Sequence, residues 1–250
     1  MELRFGKRPV RHDSRTLRFK TYLTPELPPP PPAYDVLSNV YRKLGVGDPA
    51  RLFPMDGNDA CGDCTIAALA HAVTVFRGLI GESRIWSRRA VVELYFHLTG
   101  GPDSGLAALD VLNYWRTHTA AGDKILAFAA IDAAHHADIR QAMRLFGGVY
   151  LGFAVPEHCI RQFQDRVPWT PGPLTQDGHA VFAVEYDSAG LTVLTWGTIQ
   201  RATWAWWDAC VDEAYAILPP EARHAGFAPG FDFSQLQTDL AALAVPSYRP

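Results

Sequence analysis

The chain has 250 residues, a formal net charge of −3 and 48% hydrophobic residues. That is enough apolar material for one large domain or two lobes sharing a cleft, and so small a net charge gives no global pull on nucleic acid, which is not an expected partner. No run approaches the length of a membrane span and no apolar h-region opens the chain, so the expectation is a cytoplasmic protein with four free thiols.

Residues 1–33 read as a basic, proline-rich arm. Over residues 1–20, Arg4, Lys7, Arg8, Arg11, Arg15, Arg18 and Lys20 face only Glu2 and Asp13, and 28–32 is an uninterrupted proline run, stiff and extended. Such an arm is either solvated, strapped across the body, where it can cover a cleft, or used to dock a phosphate or partner. A folded domain is expected over 34–218. Helical spacing covers 64–76, 87–98, 106–117 and 138–146. Strands are expected at 125–131, 149–155, 180–186, 191–196 and 213–218. Helices first and strands later suggest an α+β protein with a helical lobe and a sheet lobe. Residues 219–250 read as a mobile tail with one short helix over 234–243. The tryptophans Trp196, Trp204, Trp206 and Trp207 are read as core and lobe packing. Asp208, Asp212 and Glu213 are read as surface charges of a helix-to-strand connection.

The chemistry concentrates in Gly57-Asn58-Asp59-Ala60-Cys61-Gly62-Asp63-Cys64-Thr65, which runs into an apolar segment. Asp63 is a good N-cap residue and places Cys64 in the first turn of a buried helix, where unpaired N–H groups favour a thiolate. Buried packing, a redox Cys-x-x-Cys pair, half of a zinc site and a thiol nucleophile are all compatible with the two cysteines. Zinc needs a second pair or closely spaced histidines. Cys159 and Cys210 stand apart and His135-His136 are adjacent, so neither a metal nor a cofactor is expected. The redox reading lacks the strand and βαβ setting it requires. Downstream, His179 opens an apolar strand after Gln176-Asp177-Gly178, and Asp187 to Gly190 turns the chain into a partner strand ending at Thr195-Trp196-Gly197. His71 reads as a packed helical histidine, and Asp177 as a loop cap.

These residues carry a resemblance. The segment from Asn58 to Cys64 resembles the Gln-Gly-x-Cys-Gly-x-Cys segment of papain-like cysteine peptidases. Gly178-His179-Ala180-Val181 is similar to their histidine strand, Thr195-Trp196-Gly197 to their Ser-Trp-Gly, and residues 139–155 to the helix, turn and strand before the histidine. The Gly-Asn-Asp-x-x-Gly-Asp-Cys form is closest to bacterial and phage proteins of this type. The resemblance implies a papain-like two-lobe fold and a thiol hydrolase of peptide or isopeptide bonds. It implies Cys64 as nucleophile, His179 as base and Asn58, in place of the family glutamine, as oxyanion donor. Two departures stand out. The family asparagine that orients the imidazole is matched by Leu194, and Thr195 reaches the ring only if its strand slips or bulges. The shorter Asn58 must approach an oxyanion more closely. A papain-like binding module without activity and a cell-wall peptide amidase are the rival readings.

Overall fold

A helix that is apolar on every side has to be enclosed, and this requirement organises the chain. In the computed structural model, which describes residues 3–223 and 230–244, every residue from Cys64 to Phe76 is buried. Met1 and Glu2 of the arm and residues 224–229 and 245–250 of the expected tail lie outside the described residues. The chain runs α1 (Leu37–Leu44), α2 (Pro49–Leu52), α3 (Cys64–Leu79), α4 (Arg88–Thr99) and α5 (Ala108–Thr117), then β1 (Ala127–Ile131), α6 (His136–Phe146), β2 (Val149–Pro156) and α7 (Cys159–Gln164). It continues through β3 (Leu174–Tyr186), β4 (Gly190–Thr195), β5 (Thr198–Thr203), α8 (Trp204–Cys210), β6 (Val211–Leu218) and α9 (Phe233–Ala244). This is an α+β architecture, helices first and an antiparallel sheet after.

Local signals explain most boundaries. Ser87 caps α4 by accepting from the Ala90 N–H, and Gly100 closes it in the left-handed conformation. Gly147, also left-handed, ends α6 and turns the chain into β2. The strands pair antiparallel in the order β1-β6-β2-β3-β4-β5. One face of the sheet packs Tyr150, Ala180, Phe182 and Leu194 against α3. The other packs Val149, Leu151, Phe153, Val181 and Val193 with Met143, Phe146, Trp206 and Trp207. With both faces covered, β2 is buried almost end to end.

Three expectations need correction. The segment 198–210, expected to hold packing tryptophans and part of a helix-to-strand connection, forms β5 and α8. β5 is polar because it is an edge strand, and Thr203 caps α8 through the Trp206 N–H. The described part of 219–250 is anchored rather than free. Leu236 and Phe231 are buried, Tyr22 Oη donates to Asp239 (2.7 Å), and the Asp232 N–H donates to the Tyr22 carbonyl (2.8 Å). Of the readings open for the arm, the strapped one is what the structure has: Phe19 and Tyr22 enter the core, and the proline run is held by Gln141 Nε2 on the Pro28 carbonyl and Tyr186 Oη on the Pro31 carbonyl. Finally, Glu213 is a buried residue of β6, not a surface charge. Asp208 is exposed and accepts from His136 Nε2. No helix among the described residues is long and apolar enough to cross a membrane.

Candidate active site

The loop before α3 is tied together by one carboxylate. Asp63 is the residue before the helix, but its side chain does not cap it. The carboxylate turns back to accept from the Gly57 N–H (2.8 Å) and from Asn58 Nδ2 (2.8 Å). The capping expectation fails because burial leaves the loop donors without water, and Asp63 is the acceptor within reach. Burial raises its own pKa to about 7. Cys64 follows as the first helical residue, where its N–H has no intrahelical acceptor. Its sulfur lies against the backbone N–H groups of Ala180 and Gly6, which favour the thiolate. Burial outweighs them and, with the Asp63 charge, pushes the thiol up to about 12.

His179 lies on β3 opposite Phe153 of β2. Its Nε2 is 2.9 Å from Thr195 Oγ1, and its Nδ1 is buried without a hydrogen-bond partner. Burial pushes the imidazole down to about 3, so it is neutral. The Thr195 contact follows from one extra residue. From the hairpin end, Tyr186 pairs Leu191 and Glu185 pairs Thr192, but then Ala183 pairs Val193 and Phe182 pairs Leu194. Val184 is therefore a bulge. A regular ladder would put Leu194 on the His179 face; the bulge shifts the register by one residue and puts Thr195 there, sending Leu194 to the α3 face. Trp196 (φ 44°) and Gly197 (φ 80°) then form a two-residue turn into β5 with both residues left-handed, as a tight hairpin favours. That turn lays the Trp196 ring over the imidazole, centroids 4.6 Å apart and planes 24° from parallel.

Asn58 sits beside the thiol's loop with its amide engaged. Nδ2 donates to Asp63 Oδ1 (2.8 Å) and, less closely, to the Met55 carbonyl (3.3 Å). Asp177 bonds Thr175 and does not touch His179, and His71 Nε2 meets the Pro54 carbonyl (3.0 Å) in the core. All four cysteines are free and buried. Among the described residues no group of three or more His, Cys, Asp or Glu is arranged to hold a metal ion.

The arm fills the cleft between the two lobes. The Arg4 N–H donates to the Asn58 carbonyl (2.7 Å), the Leu106 N–H to the Gly6 carbonyl (2.9 Å), the Lys7 N–H to the Gly178 carbonyl (3.0 Å) and the Arg8 N–H to the Leu106 carbonyl (3.0 Å). Phe5 sets its edge against His179 and Trp196. Gly6 rides so close to Gly62 that a Cβ on it would lie 1.8 Å from the Gly62 oxygen. Cys64 and His179 are each only 1% exposed beneath this segment. The sequence offers an arm that can cover the cleft, with Arg4, Lys7 and Arg8 as its basic residues, but not the contacts these residues make there. The one local signal was Gly6, the small residue among bulky neighbours.

A second carboxylate lies behind the loop. Asp56, held at φ 53°, has both carboxylate oxygens buried without hydrogen-bond partners. Burial and the neighbouring Asp63 raise its pKa to about 8. The folded state thus keeps a proton that the unfolded chain loses near pH 4, and stability falls as pH rises through about 8. His71, pushed down to about 4 by burial, acts oppositely: its contribution is present above the unfolded value near 6.5 and is lost as pH falls from there through about 4. Asp56→Asn keeps a residue that tolerates the left-handed backbone. It is expected to raise stability at pH 9 by about 1–3 kcal/mol and to flatten the loss between pH 6 and 9. Urea midpoints across that range would show an unchanged slope if Asp56 were ionised in the folded protein.

No protein-family model matches the sequence, and no curated protein matches it. Among solved structures the chain is similar to xylellain, a cysteine protease from Xylella fastidiosa (TM-score 0.62, 16% identity, 87% of this chain and 96% of that one). It is also similar to procathepsin B S9 from Trypanosoma congolense (TM-score 0.62, 12% identity, 86% of each chain). A third likeness is to the cysteine protease and lectin-like domains of Cwp84, a surface-layer-associated protein of Clostridium difficile (TM-score 0.59, 14% identity, 86% of this chain and 56% of that one). With α3 against one face of the antiparallel sheet and the motif residues gathered where α3, β3 and β4 meet, the fold of this chain is papain-like.

Proposed function

We propose that the protein is a thiol-dependent hydrolase of peptide or isopeptide bonds, held closed by its own residues 3–8. The observation that carries this reading is the placement of His179: Nε2 on Thr195, Nδ1 unpartnered, and the sulfur of Cys64 against the N–H of the next residue, Ala180. Thr195 accepting from Nε2–H leaves Nδ1 as the basic nitrogen. Once the arm is out, Nδ1 takes the thiol proton and Sγ attacks the carbonyl carbon. The tetrahedral oxyanion collapses, the C–N bond breaks, and the amine leaves with the proton from the imidazolium. Water, deprotonated by the same nitrogen, then cleaves the thioester. The Cys64 N–H is one oxyanion donor. Asn58 becomes the second by giving up its longer bond to Met55 while keeping the one to Asp63.

The engaged amide and the filled cleft also favour a second reading, a peptide-binding module without turnover. Amine release from peptide and peptidoglycan substrates separates the two, using full-length protein whose arm is lifted by Gly6→Val. Turnover that falls about 10²–10⁴-fold in His179→Ala is expected for the hydrolase. The substrate set that responds distinguishes a peptidase from a cell-wall amidase. No turnover on either set, with the arm lifted, sinks the hydrolase reading.

A further inference from the structure

Lys7 is a cation in an unusual position. It follows Gly6, whose N–H lies on the Cys64 sulfur, and its own N–H is bonded to the carbonyl of Gly178, next to His179. Its side chain is 1% exposed. Nζ lies 2.9 Å from Asp212 Oδ2 and 3.2 Å from Glu213 Oε1. Glu213 is braced from behind by the Tyr215 hydroxyl on Oε2 (2.8 Å), which aims Oε1, otherwise without a hydrogen-bond partner, at the cation. The stem of Lys7 runs over Gly152, where a Cβ would lie 2.0 Å from Lys7 Cε and 2.8 Å from Glu213 Oε1. An aliphatic channel with no side chain on its floor, ending in two carboxylates, is the shape and charge of a receptor for a long cationic side chain.

A buried ion pair adds little to stability by itself, because desolvating both charges cancels most of their attraction. It is highly selective, however: an apolar or acidic occupant leaves the Glu213 carboxylate buried without a counter-charge, while Asp212 stands at the more exposed rim. The element that holds this cation is also the one filling the cleft over the thiol, so the same channel is open to any peptide that replaces the arm.

We propose that Gly152, Asp212 and Glu213 form a subsite that selects a lysine or arginine side chain of the incoming peptide, next to the position attacked by Cys64, with Lys7 as its built-in occupant. This rests on the reading of the cleft as a peptide site. Arginine fits as well as lysine, since a guanidinium can serve both carboxylates at once.

The test uses full-length Gly6→Val, with Gly6→Ala as a second arm-lifting variant should valine impair folding. Fluorogenic peptides carry Lys, Arg, norleucine or Glu at each position flanking the cleaved bond. At one position Lys and Arg are expected to exceed norleucine in kcat/KM by at least about tenfold, with Glu213→Gln collapsing that ratio. In parallel, the Cys64→Ala form of the same protein is titrated with labelled Leu-Arg-Phe-Gly-Lys-Arg and its norleucine analogue at the lysine. Tighter binding of the lysine peptide, lost in Glu213→Gln, upholds the subsite even if no bond is cleaved, in which case only the hydrolase reading fails. Cleavage indifferent to a basic residue at every position overturns the subsite and leaves the hydrolase standing. Equal binding of the two peptides also overturns it.

Discussion

Replacing Gly6 with valine is expected to raise the rate of Cys64 alkylation by iodoacetamide at pH 7 about a hundredfold or more. A thiol titrating near 12 offers roughly one thiolate in 10⁵ at neutral pH, whereas an unperturbed thiol offers a few per cent. The arm lies on Cys64, with the Gly6 N–H against its sulfur, and Gly6 cannot carry a side chain where it lies. Even a first carbon would sit 1.8 Å from the Gly62 carbonyl oxygen, which is backbone and cannot swing aside. The segment must therefore lift, admitting water to Cys64 and His179 together. With water present the imidazole is free of the burial that holds it near 3, and an ion-paired thiolate becomes accessible. Mass spectrometry should place the label on Cys64, and His179→Ala in the Gly6→Val background should slow it. Labelling of the Gly6→Val protein no faster than that of the original chain would mean the arm does not control the thiol.

The second large effect concerns the bulge at Val184. Alignment on Trp196-Gly197 makes Leu194 the place where an orienting asparagine is missing, so Leu194→Asn should restore it if the strand were regular. The register predicts the reverse. Leu194 faces α3 beside Phe182, and it is 1% exposed. An amide there loses apolar contact and is buried among groups that do not bond it, at a cost of about 2–4 kcal/mol. Urea denaturation should show that loss, and Cys64 reactivity in the Gly6→Val background should not increase. Thr195→Val, which keeps the shape and removes the hydroxyl, should cost about 1–3 kcal/mol in the closed protein, because it leaves the His179 Nε2–H buried without an acceptor. It is expected to slow the His179-dependent labelling about tenfold or more, because the imidazole loses its tautomer-setting partner. A gain of reactivity in Leu194→Asn would mean that Leu194, not Thr195, faces the ring.

Local pattern was sufficient for much of this chain. The all-apolar run after Cys64 fixes a buried helix, Ser87 and Gly100 bracket α4, Gly147 ends α6, and the turn residues Asp187 to Gly190 mark the β3–β4 hairpin. These are decided by side chains within a turn or two of each other, which sequence order keeps together. The same is true of the motifs around Cys64, His179 and Trp196, whose residues the fold brings to one cleft. What the tertiary structure alone decided depends on partners far apart in the chain. One inserted residue at Val184 chooses which side chain meets His179, because a strand's two faces alternate and pairing register is a property of two strands, not one. Asp63 serves its own loop instead of the helix end because burial withholds water from Gly57 and Asn58. Lys7 and Glu213, separated by almost the whole sequence, look like solvated charges when read singly. Only the chain's return through the cleft puts them in contact, and it is that long-range contact, not either residue's type, that turns two surface-like charges into a buried, selective pair.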